Sequence, residues 1–283
     1  MINLNSYKED PFSFFAEVVA GKKNSAQDKY YKNRLNSLTE SVKLLYEDYD
    51  LAFQNNTLQY LECCGFTGDE KEDLLKLYSF RAKAFQELKI KLTTIESNRI
   101  ISTCQNCTIG EISSFDHIVP KSEFAEFAIH PKNLFPSCSK CNEYKSISWR
   151  DNNKRLFLNL YLDKLPKDQY LFVKLNCSDS KLEIDFYIDN INGIDDELFS
   201  IIEYHYQKLR LCERFKENSD LVVTNLINSL QSAIKFSPLD IIIRTSDELS
   251  RRNQKAFGSN YWRSILEISL VSFEPFLRQF VLK

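Results

Sequence analysis

CQNC (residues 104–107), FDHIVP (115–120) and PKNLFPSCSKCNEYK (131–145) are three strings of one short stretch, and their order decides how the chain is read. Two Cys-x-x-Cys pairs bracket an Asp-His dipeptide, Asp116-His117, and an asparagine, Asn133. A second asparagine, Asn142, directly follows the last cysteine. Two residues between paired cysteines let both thiolates of a tight knuckle reach one metal ion, and structural zinc takes four such ligands. Cys104, Cys107, Cys138 and Cys141 are therefore read as a closed zinc site with no open position for water. Four thiolates also suit iron–sulfur clusters, the alternative ligation.

The rest of the chain sets bounds on this reading. At 283 residues, with 43% hydrophobic and 27% charged residues, it is long enough for one large or two smaller globular domains. The formal net charge is −2, so no global positive field recruits a polyanion. From Arg99 to Arg155 there are eight Lys/Arg against six Asp/Glu, so this segment too is close to neutral. No apolar run reaches membrane-spanning length, and the opening MINLNSYKEDPFSFF lacks the pattern of a secretory signal, so a cytoplasmic location is expected. In that compartment the remaining cysteines, Cys63, Cys64, Cys177 and Cys212, are expected to be buried free thiols.

Periodicity divides the chain into three parts: residues 1–97, 98–158 and 159–283. In the first, Tyr31, Leu35, Leu38, Val42, Leu45, Tyr49 and Phe53 recur at helical spacing, as do Leu74, Leu77, Phe85, Leu88, Leu92 and Ile95. Each set is an amphipathic stripe, and the two are expected to pack together, with Gly65 and Gly68 marking the break. The basic cluster Lys22, Lys23, Lys29, Lys32 and Arg34 is read as a solvated face, with a phosphate-contacting edge as the sharper alternative. From about Ser97 to Trp149, turn formers and short β-prone pieces replace long helices.

Beyond that stretch, Arg155 to Leu165 reads as a short helix ending before Pro166. Tyr170–Asn176 and Leu182–Ile188 alternate as a hairpin across SDSK. Leu198, Ile201, Ile202, His205, Leu209 and Cys212 share one helix face, which makes His205 a core residue rather than a ligand. Ser237-Pro238 reads as the start of a helix that Gly258 ends, and residues 260–282 as a buried terminal helix. The expected class is α+β, mainly α, with a small zinc module between helical regions.

The run FDHIVPKS followed by NLFPSCSKCNEYK resembles the HNH endonucleases with zinc knuckles, over about fifty residues. The resemblance implies a ββα-metal fold in which a hairpin carries the Asp-His motif and a following helix carries the last motif. It implies His117 as general base, Asp116 and Asn142 as ligands of a catalytic Mg²⁺ or Mn²⁺, and Asn133 as the amide that ties the loop and holds the histidine. The residue types suit the chemistry: an imidazole titrating near neutrality is a fitting base, and hard oxygen donors suit such cations. Adjacent strand residues point to opposite faces, so Asp116 and His117 share a site only if the strand bends or the metal sits at its end. Lys145, three residues beyond Asn142, would share its helix face and contact a phosphate. His130 is read as a loop histidine.

The flanks, KSEFAEFAIHPKNLFPSCSKCNEYKS (121–146) and LNLYLDKLPKDQYLFVKLN (158–176), resemble HNH nucleases of Septu- and retron-type anti-phage modules. That resemblance implies a nucleic-acid substrate, DNA before RNA, and an ATPase partner of the ABC or overcoming-lysogenization-defect class. The alternatives are a non-catalytic zinc-stapled scaffold and an effector that cleaves tRNA or other RNA.

Overall fold

The computed structural model describes residues 1–95, 98–178 and 181–282. Contacts divide the chain into two compact units. One comprises Asn3–Asn106 and Gly110–Asp163; the other comprises Met1–Ile2, Cys107–Ile109 and Lys164–Lys283, of which Lys283 itself is not described. Helices dominate, and the described residues form three two-stranded antiparallel sheets.

In the first unit, α1 (Pro11–Ala20) starts where sequence chemistry dictates. Asp10 accepts from the Phe12 and Ser13 amides, and Pro11 fills the first turn. Helix α2 (Tyr31–Gln54) buries Leu35, Leu38, Val42, Tyr49 and Phe53 of the expected stripe, with Tyr46 buried where the spacing predicts Leu45, and Tyr31 and Leu45 only half-buried. The second stripe is split into α3 (Gly68–Leu75) and α4 (Lys83–Thr93). Only α3 packs extensively on α2; α4 packs on the strand residues described next. Gly65, before α3, and Gly68, its first residue, adopt positive φ values of 80° and 51°.

Strands β1 (Ser114–His117) and β2 (Leu134–Ser137) pair antiparallel, with Asp116 opposite Phe135 and His117 opposite Leu134. Helix α5 (Ser139–Lys145) follows at once and completes a ββα unit. Then β3 (Arg150–Asp151) and β4 (Lys154–Arg155) form a minimal hairpin. Its two-residue turn, Asn152-Asn153, has both φ values positive, as a tight hairpin turn requires.

The helix expected from Arg155 to Leu165 is absent. The Asp163 carboxylate instead takes the Arg155 guanidinium at 2.6 Å and the Asn159 amide at 2.7 Å, so the backbone curls into turns. Leu158, Leu160 and Tyr161 are buried from that irregular segment, and Tyr161 donates to the Leu134 carbonyl at 2.7 Å.

Residues on both sides of position 97 belong to the same compact unit. Tyr46, Tyr49 and Phe53 of α2 pack against Phe127, His130 and Tyr161, so helix and ββα module share one core. The basic cluster near α2 is largely engaged. Arg34 pairs with Asp28 and Asp73, each at 2.6 Å, and Lys22 and Lys32 donate to the Lys76 and Ala20 carbonyls.

In the second unit, β5 (Leu171–Ser178) and β6 (Lys181–Ile188) form the expected hairpin. Two residues of its turn, Asp179 and Ser180, lie outside the described residues, as does Ser97, where the sequence pattern changes. The helices are α6 (Asp196–Lys208), α7 (Leu211–Glu217), α8 (Ser219–Ala233), α9 (Leu239–Phe257), α10 (Trp262–Val271) and α11 (Glu274–Phe276). Arg210, at φ 53°, separates α6 from α7, so Cys212 falls on a different helix from His205. His205 is buried. Pro238, not Ser237, precedes the first residue of α9, without a capping hydroxyl. Gly258 ends that helix at φ 102°. The terminal apolar segment is broken after Val271 rather than continuous. Its core contacts centre on Trp262, stacked on Phe215 at 5.4 Å. Cys63 and Cys64 are exposed, and Cys177 and Cys212 half-buried. For the first two, the loop before α3 has no core to enter.

Candidate active site and metal centre

The Sγ atoms of Cys104, Cys107, Cys138 and Cys141 all lie within 4.8 Å of one another, and all four residues are buried. None is in a disulfide. Each knuckle is shaped by its own backbone. In the first, the Cys104 amide donates to the Gly110 carbonyl at 2.8 Å, and Thr108 takes a left-handed φ of 52°. In the second, Cys138 caps α5, and the Cys141 amide points at its sulfur at 3.5 Å. Gly110 leaves the room this needs, since a Cβ there would stand 3.0 Å from Cys138 Cβ and 3.1 Å from its Sγ. Four cysteine sulfurs this close could hold a metal ion, and as thiolates in a buried site they would need such a cation to be stable.

Beside the knuckles lies a cleft of about 400 Å³. Asp116, His117 and Asn142 line it together with Tyr78, Lys121 and Ser122. Asp116 and His117 are the last two residues of β1, so alternation at the strand end does not keep them from sharing one cleft.

His117 is 8% exposed, and its Nε2 lies 2.9 Å from the Ala128 carbonyl. A carbonyl only accepts, so Nε2 carries the proton and Nδ1 is left as the basic nitrogen. Burial pushes the imidazole pKa down to about 3; the Ala128 carbonyl opposes this, and the charges of Lys121 and Lys145 add to it. The ring is therefore neutral at physiological pH, but burial moves it well below the near-neutral titration expected from its residue type, so its case as a base rests on its position in the cleft. Its edge contacts Tyr78, with centroids 5.1 Å apart.

Burial pushes the Asp116 carboxyl above its ordinary value, while Lys145 pulls it back. The Lys145 ammonium sits 3.1 Å from Asp116 Oδ1 and 2.6 Å from the His117 carbonyl, and the residue is only 5% exposed. Spacing puts Lys145 on the Asn142 face as a phosphate contact; in the structure it is buried and its ammonium is engaged by Asp116 and the His117 carbonyl. Asn142 donates from Nδ2 to Ser114 Oγ and the Phe115 carbonyl, both at 3.3 Å. Those bonds fix the amide's orientation and leave its carbonyl oxygen as the acceptor for the cleft.

Asn133 is fully buried and makes four hydrogen bonds. Its Oδ1 accepts from the Val119 amide at 2.8 Å and from Tyr49 Oη at 3.2 Å, and its Nδ2 donates to the Val119 and Phe127 carbonyls at 3.1 and 3.0 Å. The loop it ties includes Ala128, on which His117 rests. His130, in the same loop, packs between Tyr46 and Tyr49 with centroids 4.3 and 4.2 Å away, and burial lowers its pKa to about 4.

Two cleft residues escaped the sequence reading. Lys121 stands inside the string FDHIVPKS but was given no role. Tyr78 carried no signal, because it lies in the turn that breaks the second helical stripe. It accepts from the Phe115 amide at 3.1 Å and donates to the Phe115 carbonyl at 3.4 Å.

Residues 104–146 match the family model described as HNH endonuclease. Over 201 residues the chain is 22% identical to Protein ea31 of Escherichia phage lambda, an alignment covering 65% of this chain and 68% of that protein. No solved structure matches significantly. The chain thus carries an HNH endonuclease domain with a buried four-cysteine cluster, flanked by helical regions, and that domain supports a nuclease acting on nucleic acid. No helix among the described residues is long and apolar enough to cross a membrane.

Proposed function

We propose that this chain is a divalent-metal-dependent endonuclease that hydrolyses phosphodiester bonds of DNA, with zinc in the four-cysteine site as a structural staple. The observation that supports it best is His117: a neutral imidazole with one nitrogen fixed on Ala128, in a cleft shared with Asp116 and Asn142. His117 takes the proton of the attacking water at Nδ1. The Asp116 carboxylate and the Asn142 carbonyl would hold a magnesium or manganese ion, whose hard-oxygen preference they meet. Bound there, such an ion supplies positive charge to the phosphate and the leaving alkoxide. Lys145 opposes the burial that disfavours the Asp116 carboxylate and holds it in place, and Asn133 keeps the His117 support in place.

Plasmid cleavage by wild type and His117→Ala, in magnesium, manganese or chelator, tests this reading. Metal-dependent cleavage that disappears in the variant is expected; equal cleavage by both would remove His117 as the base. Attack by water needs no 2′-hydroxyl, so tRNA belongs in the same assay as the competing substrate. Elemental analysis of purified protein should find about one zinc per chain. We assign the nuclease to an anti-phage module with an ATPase partner on the resemblance of residues 121–146 and 158–176. Co-purification with the product of a neighbouring ATPase gene, and cleavage that depends on it, is the expected result.

A further inference from the structure

The cleft has an aromatic wall formed by Tyr78 and Phe80. Both rings are packed against other aromatics: Tyr78 edge-on to Phe85 at 5.4 Å, and Phe80 edge-on to Phe115 at 5.5 Å. Each also carries a lysine. The Lys121 ammonium lies 4.6 Å from the Tyr78 centroid, and the Lys89 ammonium 5.9 Å from the Phe80 centroid. Among the described residues, no carboxylate lies within ion-pairing distance of either. Elsewhere in the same unit, Lys76, Lys91, Lys132 and Lys145 all have acidic partners.

A half-buried ammonium held on a ring face, without a counter-charge, loses hydration and regains only part of it from the π system. Burial accordingly lowers the Lys121 pKa. An anion in the cleft would supply the missing partner. A ring beneath each ammonium also limits where it can sit, so the cation is placed before the anion arrives.

We propose that Lys121 and Lys89 are a phosphate track for a nucleic-acid strand: Lys121 binds the phosphate that enters the cleft beside His117, and Lys89 binds a neighbouring phosphate of the same strand. This rests on the nuclease reading. It also gives the phosphate-contacting role to cations without acid partners instead of Lys145, which is spent on Asp116. The near-neutral charge of the segment then matters less, because one cation lines the cleft and the other lies over a ring of its wall.

The test measures binding and cleavage separately. Binding of a fluorescent duplex to His117→Ala protein is followed by anisotropy across a potassium chloride series. Adding Lys121→Gln should weaken binding and reduce the slope of log K against log salt by about 0.9, the loss of one phosphate contact. Lys89→Gln should reduce the slope by a similar amount. In cleavage assays of otherwise wild-type protein, Lys121→Gln should lower kcat/KM roughly tenfold, Lys89→Gln should raise KM with kcat unchanged, and Lys121→Arg should restore most of the loss, since it keeps the charge. Wild-type cleavage with unchanged affinity and slope in both glutamine variants would overturn the track and leave the nuclease standing. Failure of Lys121→Arg to restore activity would assign Lys121 a packing role and overturn it as well. A wild type that neither binds nor cleaves nucleic acid would remove both readings.

Discussion

The ββα module holds the same pair of residue types twice. On the cleft side are His117 and Asn142; on the core side are His130 and Asn133. All four are polar, and both histidines are buried and neutral. What sets Asn133 apart from the cleft pair is where its hydrogen-bonding capacity goes; His130 accepts from the Lys132 amide at 3.3 Å and keeps its Nε2 in the core, 3.4 Å from Asp50. Asn133 uses all of its capacity on the protein, four bonds in all. Asn142 and His117 each use one end to fix their orientation and keep the other end for the cleft. A side chain used up by its own fold holds structure, whereas one half used and half open can act on a ligand.

The comparison breaks first at His117. His117→Ala should lower cleavage by about 10²–10⁴-fold, the usual worth of a general base, with the melting temperature little changed. A large drop in melting temperature would place His117 with the core pair instead. Asn133→Ala should do the reverse and destabilise the unit by about 3–5 kcal/mol, because it strands several buried partners, a loss that urea unfolding would read directly.

His130 gives a pH test. Its folded pKa, about 4, lies below the ordinary 6.5, so the unfolded chain takes up the proton first as pH falls. Stability is fully present above pH 6.5 and is lost between there and about pH 4, by about 3 kcal/mol from this residue. A His130→Gln variant should show a flatter stability profile over that window, measured by unfolding at each pH; parallel profiles would mean the ring is less enclosed than its tyrosine neighbours imply. The smallest effect belongs to Asn142→Ala. It should shift the magnesium titration of cleavage by about tenfold with stability within about 1 kcal/mol, and an unmoved titration would exclude its oxygen from the cation.

The sequence made the ββα module legible because its determinants are local. Knuckle spacing, the Asp-His pair at the end of a strand and the capping cysteine of α5 all act within a few residues. The long face of α2 and the hairpin of β5 and β6 were legible for the same reason. What could not be read depended on partners far along the chain. Nothing near Arg155 announces that Asp163 will draw the backbone out of a helix. Nothing in a helical stripe announces that Tyr49 will bond Asn133, or that Tyr78 will stand beside His117. Lys145 was placed on the correct helix, but spacing gives its direction and not the carboxylate waiting across β1.

The bond from Tyr49 to Asn133 also bears on where the HNH domain can be cut out of its chain. By motif, residues 98–158 look like a portable cartridge. Excised, that fragment would leave behind Tyr46, Tyr49 and Phe53, expose Phe127 and His130 to water, and strand the oxygen of Asn133 that Tyr49 satisfies. Transplanting the domain into another protein would therefore mean carrying α2 along, so the smallest heritable unit of this fold is longer than its motif.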